Sequence, residues 1–205
     1  MKKKYPIPTL FLLLIVNLTI GQINFQLAKQ IDSLGKEDQK WRVLTRQIQN
    51  HEVDSISINK AWYNMRKTDS LNFIAVKALF DKYGFIGIDK VGSVSANNFW
   101  LMVQHADKYP AFQDSVLRKM KVEAEKGNAS MLDYAYLVDR VKVNTGQLQI
   151  YGSQMTLNST ETSYEPKPVF EPNKLNERRK LVGLDSIEEY INTMNEHYRG
   201  TLKTK

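Results

Sequence analysis

Three histidines, His51, His105 and His197, carry the side chains of this chain that ordinarily titrate near neutral pH. His105 offers the most chemistry. It stands in Gln104-His105-Ala106-Asp107, directly after the apolar run Phe99-Trp100-Leu101-Met102-Val103. On a helix Leu101 and His105 share one face, and Trp100 and Gln104 share another. The spacing therefore puts His105 on an extension of a buried stripe. A buried polar group needs a partner. The ring is either a paired structural histidine or an acid–base group lining a pocket, with Gln104 beside it.

Other polar groups are candidates to join it. Asp139-Arg140 ends a helical pattern, and neighbours in sequence point in different directions on a helix. Asp139 is the expected partner orienting the His105 ring. Arg140 can clamp a carboxylate or phosphate through its planar fork, or lock two helices in a salt bridge. Tyr151-Gly152-Ser153-Gln154 offers two neutral hydrogen-bonding side chains, Tyr151 and Gln154, around a glycine that permits a bend. In Asn176-Glu177-Arg178-Arg179, Arg178 can add positive potential to a site, although a solvated charged face is the ordinary role of such a run.

Much chemistry is excluded. The chain has no cysteine, so it has no disulfide, thiol nucleophile or thiolate metal site. The histidines show no metal-ligand spacing, and no metal or cofactor is expected. No nucleophile elbow, phosphate loop or dinucleotide fingerprint is present. The three tryptophans at helical positions suit a core better than a ligand platform.

These groups must be positioned by helices. Phe25, Leu27, Ile31 and Leu34 recur at helical spacing up to Gly35, and Trp41, Leu44 and Ile48 suggest a second helix. A short helix over 58–65 precedes one capped at Thr68-Asp69-Ser70 and stopped by Gly84. Residues 85–92 read as a glycine-rich loop. Helices then start at Ser93 or Ser95, at Pro110 and at Ala129, with the Phe99–Val103 helix central. Leu148, Ile150 and Tyr151 alternate with polar residues as a strand would, returning through Val169-Phe170. Helices near 174–182 and 185–197 follow. The fold expected is mainly α: a single-domain irregular helical bundle over 22–198 with one small β-hairpin near 147–170 and a flexible tail over 199–205.

The N-terminus specifies an address. Lys2, Lys3 and Lys4 precede the greasy run Leu10–Ile20, and Gly21-Gln22 makes a peptidase site, so residues 1–21 read as a cleaved signal peptide, the alternative being an uncleaved membrane anchor. The run falls short of the roughly 20 apolar residues that span a bilayer. Export to the periplasm or the outside is expected, with no stable membrane span after cleavage. The formal charge of +7 includes those three lysines, leaving +4 on the rest. The charges are interspersed, which argues against a nucleic-acid partner.

Taken in order, Asp38-Gln39…Arg42, Asp69…Asn72, Tyr83-Gly84-Phe85, Val91-Gly92, Trp100…Gln104-His105-Ala106-Asp107…Pro110-Ala111-Phe112-Gln113, Leu137-Val138-Asp139-Arg140-Val141, Gln149-Ile150-Tyr151-Gly152-Ser153-Gln154 and Asn176-Glu177-Arg178-Arg179…Gly183-Leu184 form a pattern. It resembles an uncharacterised bacterial family, the domain of unknown function 6624, over most of the chain. Phe85-Ile86 stands where that family tends to have Trp-Pro, and Asn176 where an acidic residue is common. The resemblance implies that the polar blocks share one arrangement, and it implies no reaction. Three functions are weighed from the residues: an envelope module that binds a small polar or anionic ligand or an envelope protein, a metal-free hydrolase or transferase with His105 as general base, or a purely structural envelope component.

Overall fold

The computed structural model describes residues 23–53 and 56–203. The signal peptide expected over 1–21 lies outside the described residues. Seven α-helices and one two-stranded sheet make up the described chain, a mainly α fold. None of these helices is long and apolar enough to cross a membrane.

Helix α1 (Phe25–Gln49) starts where the Asn24 side chain accepts the Leu27 N–H. It is one helix rather than two. Gly35 does not break it, because the residue serves close packing instead of a turn. A Cβ there would lie 2.8 Å from Cγ of Asn98, and Asn98 donates to Asp32 one turn earlier on α1. Helix α2 (Ile58–Tyr83) is likewise continuous. Its cap is Ser57, so Asp69 falls in mid-helix, with no glycine or proline nearby to end a turn. It stops at Gly84, whose φ of 69° suits a residue without a Cβ.

Helix α3 (Ile88–Gln104) begins earlier than its sequence suggests. Residues 88–91 form a short helical turn, and Gly92 (φ 79°, ψ 165°) kinks the chain before the main segment. Phe99, Met102 and Val103 are buried here, and α3 touches α1, α2, α4 (Pro110–Glu125) and α5 (Met131–Asn144). It is the central helix its apolar run predicts. Trp100 is only partly covered and donates its Nε1–H to the Asp133 carbonyl.

The hairpin pairs β1 (Met155–Leu157) antiparallel to β2 (Tyr164–Pro166), with Met155 opposite Pro166. The strand expected at 148–151 does not form. Gln149 makes an isolated bridge to Val169, but the N–H groups of Ile150, Tyr151 and Ser153 go to the Asp139 carboxylate instead of to a ladder. Two helices follow, α6 (Leu175–Leu181) and α7 (Ile187–Lys203). Asn195 of α7 grips both backbone groups of Tyr164 and so holds the hairpin. Helical structure continues to Lys203, through most of the segment expected as a tail.

Gly35 thus sets the spacing between α1 and α3. Alanine normally favours a helix over glycine by up to about 1 kcal/mol. Here Gly35→Ala should instead lower stability by about 1–3 kcal/mol, through overpacking against Asn98. Urea denaturation of Gly35→Ala beside Gly35→Ala/Asn98→Ala measures this, and the second substitution should recover most of the loss.

Candidate functional site

Asp38 lies on α1 about one turn beyond Gly35, on the seam with α3. It is a buried carboxylate, 1% exposed. His105 is the residue that caps the C-terminal end of α3. The close approach of the two helices brings His105 Nδ1 to 3.0 Å from one Asp38 oxygen and 3.1 Å from the other. Arg42, one turn along α1, donates to Asp38 Oδ1 at 3.1 Å and to Asp69 Oδ1 of α2 at 2.8 Å. Gln39 adds a donor to Asp38 Oδ2 at 2.7 Å. Three helices therefore meet through four side chains.

Environment separates the two carboxylates. Burial works against the charge of Asp38, but the His105 hydrogen bond and charge, with Arg42 and Gln39, outweigh it and hold its carboxyl below the usual range. Asp69 goes the other way: burial pushes it up by more than Arg42 pulls it down. A carboxylate that stays ionised can only accept hydrogen bonds. His105 must then carry a proton on Nδ1, and the neutral ring has its lone pair on Nε2.

His105 and Asp69 line a hollow of about 250 Å³, walled otherwise by Met65, Arg66 and Ser70 of α2 and by the segment Ala106–Tyr109. The Tyr109 ring is stacked on Phe73. Asp107 is drawn into the wall by Arg140 of α5, whose Nε and Nη2 each reach one of its oxygens at 2.7 Å. Burial opposes the Asp107 charge, but this fork and Asn144 prevail and lower its pKa. A larger hollow of about 910 Å³ lies elsewhere, between the end of α1, the start of α2, Tyr164 and Tyr198. Among the described residues its lining holds no carboxylate and one histidine, His51, and so shows no counterpart to the paired titratable groups found around His105.

The expected site residues divide into two groups. His105 lies at the hollow, and Arg140 reaches it only through Asp107, so its fork is closed on a protein carboxylate rather than open to a ligand. Gln104 is beside them, with its Oε1 buried and unpartnered. Asp139, Tyr151, Gln154 and Arg178 build something else. Asp139, 0% exposed, takes the N–H groups of Ile150 and Tyr151 on Oδ1 and that of Ser153 on Oδ2. The expected Asp139–His105 pair does not exist, because both Asp139 oxygens are engaged by this loop.

On the loop's other side, Arg178 donates to the carbonyls of Ile150, Phe170 and Glu171, while the buried Arg179 donates to those of Tyr151 and Asp185. Gln154 is tied to Ser153 and, through its backbone, to the buried Gln149. The Tyr151 side chain packs on Ala135, Val182 and Leu184. Gly152 closes the turn at φ 68°, where a Cβ would sit 3.1 Å from Ile187. These residues form a clasp that fixes loop 149–154 through its backbone.

Asp38, Arg42 and Asp69 are the site residues that spacing alone leaves without a role. One local signal was present: Asp38 and Arg42 are an i, i+4 pair on a face shared with apolar residues. Asp38, Asp69 and His105 each offer a ligand atom within 4.8 Å of the others, a geometry compatible with a cation. The guanidinium of Arg42 lies between the two carboxylates, however, and Nδ1 of His105 bears a proton. Metal binding there would require both to leave.

The clasp makes a separable prediction. Asp139→Asn turns one acceptor oxygen into a donor facing an N–H, and should cost about 3 kcal/mol of stability. In thermal unfolding it should lower the midpoint while leaving the Asp38–His105 pair unchanged.

No curated protein and no solved structure matches this chain. A family model, described as a family of unknown function, matches residues 26–205, which include every residue of the hollow and of the clasp. The chain belongs to that family, DUF6624.

Proposed function

We propose that this is an exported domain in which His105, oriented by Asp38, acts as an acid–base group on a small polar ligand held in the hollow. One observation carries the reading: a histidine at a solvent-reaching hollow has its Nδ1 bonded to a buried ionised carboxylate. That arrangement fixes both ring orientation and tautomer. Nε2, which has no hydrogen-bond partner among the described residues, is then free to take a proton from a water or a ligand hydroxyl. Asp38 stabilises the imidazolium that results, and Nε2 can return the proton to a leaving group.

Asp69, made easier to protonate by burial, is a second group at the same hollow able to hold a proton. Arg42 keeps both carboxylates in place. The reaction class supported is metal-free hydrolysis or group transfer. The Ser70 hydroxyl donates to the Arg66 carbonyl, so the base is not poised on a serine nucleophile. That observation favours a second reading, in which the module binds a ligand or an envelope protein without turnover. Export rests on Lys2–Lys4, the run Leu10–Ile20 and the Gly21-Gln22 junction. The compartment is the periplasm or the exterior.

A screen of purified protein against small ester, amide and phosphoester substrates tests the catalytic role. Turnover should fall by about 10²–10⁴-fold in His105→Gln, the range lost with a general acid–base group. Turnover equal to wild type in that variant would refute it.

A further inference from the structure

The ionic groups around the hollow are unequally partnered. Asp69 and Asp107, the carboxylates in its wall, each face a guanidinium, Arg42 and Arg140 respectively. Two cations also line it: Arg66 on α2 and Lys108 on the segment between α3 and α4. Neither side chain forms an ion pair or hydrogen bond among the described residues, and both are exposed. The hollow's unpaired charged side chains are therefore two cations, contributed from two elements, while the single charge of Arg42 is shared by Asp69 and the buried Asp38. Helix α4 opens beside Lys108 and Tyr109 with no acidic residue in its first turn and no side-chain cap. That end adds positive potential in the same place.

We propose that the hollow binds a small dianionic phosphate monoester, its phosphate held by Arg66 and Lys108. This rests on the hollow being the functional site, and it names the ligand class. Three features point to it. Two unmatched cations balance a dianion better than a monoanionic carboxylate. An Arg fork and a Lys point charge are the two side-chain types that hold phosphate best. At about 250 Å³ the hollow lies at the small end of ligand sites, which suits a compact metabolite and not a polymer. The non-phosphate part of the ligand then shares the cavity with His105 and Asp69.

Isothermal titration of the purified protein with phenyl phosphate, inorganic phosphate and acetate at low ionic strength tests the proposal. Wild type should bind one phenyl phosphate saturably. Arg66→Gln and Lys108→Gln should each weaken it about tenfold, or roughly 1.4 kcal/mol. Lys119→Gln, an exposed lysine of α4 outside the hollow's lining, should leave it unchanged. Inorganic phosphate should compete. Acetate binding as tightly as phosphate would overturn the choice of a dianion. No saturable phosphate binding, or undiminished binding in the double variant Arg66→Gln/Lys108→Gln, would overturn the proposal outright. His105-dependent turnover without phosphate binding would remove the anion and leave the acid–base site standing.

Discussion

A buried ionised carboxylate organises this structure. Asp38 sits 1% exposed between three helices, where an unpaired charge would cost several kcal/mol. It persists because His105, Arg42 and Gln39 all donate to it. That requirement ties α3 to α1 through the ring, and α2 to α1 through the second arm of Arg42 on Asp69. It also decides the chemistry. An acceptor whose charge is held in this way leaves the neutral imidazole one stable tautomer. The glycine one turn earlier, Gly35, permits the helix approach on which the contact depends.

A second polar knot does a different job. Asp139 binds the N–H side of loop 149–154, and Arg178 and Arg179 bind its carbonyl side. The carboxylate and the guanidinium groups never touch; the loop backbone lies between them. Helix α5 joins the two knots. Asp139 faces the clasp, and its neighbour Arg140 turns toward Asp107 at the hollow. Adjacent positions on one helix thus serve two unlike structures, as their divergent directions require.

The helices were largely legible in the sequence, because apolar spacing reports directly on which face is buried. The breaks were less so. Gly35 and Thr68-Asp69-Ser70 look like punctuation, yet one is a packing contact and the other is mid-helix. Gly92, by contrast, does kink its helix. His105 was identifiable from its place at the end of a buried run. Its partner was not, because Asp38 is 67 residues away and the pairing is made by helix packing that no local pattern encodes. Asp139 lies nearer in sequence, but the loop that consumes it carries a strand-like alternation. The alternation at Leu148–Tyr151 shows which side chains face inward, but it does not show what captures the backbone donors.

The account depends on His105 carrying its proton on Nδ1 under the hold of Asp38. Ring ¹⁵N chemical shifts of His105, followed upward in pH until the ring is neutral, in the wild type and in Asp38→Asn, address this directly. The wild type should show a protonated Nδ1 and an unprotonated Nε2, and the substitution should abolish that preference. A neutral ring protonated on Nε2 in the wild type, or a tautomer unaffected by Asp38→Asn, would contradict it.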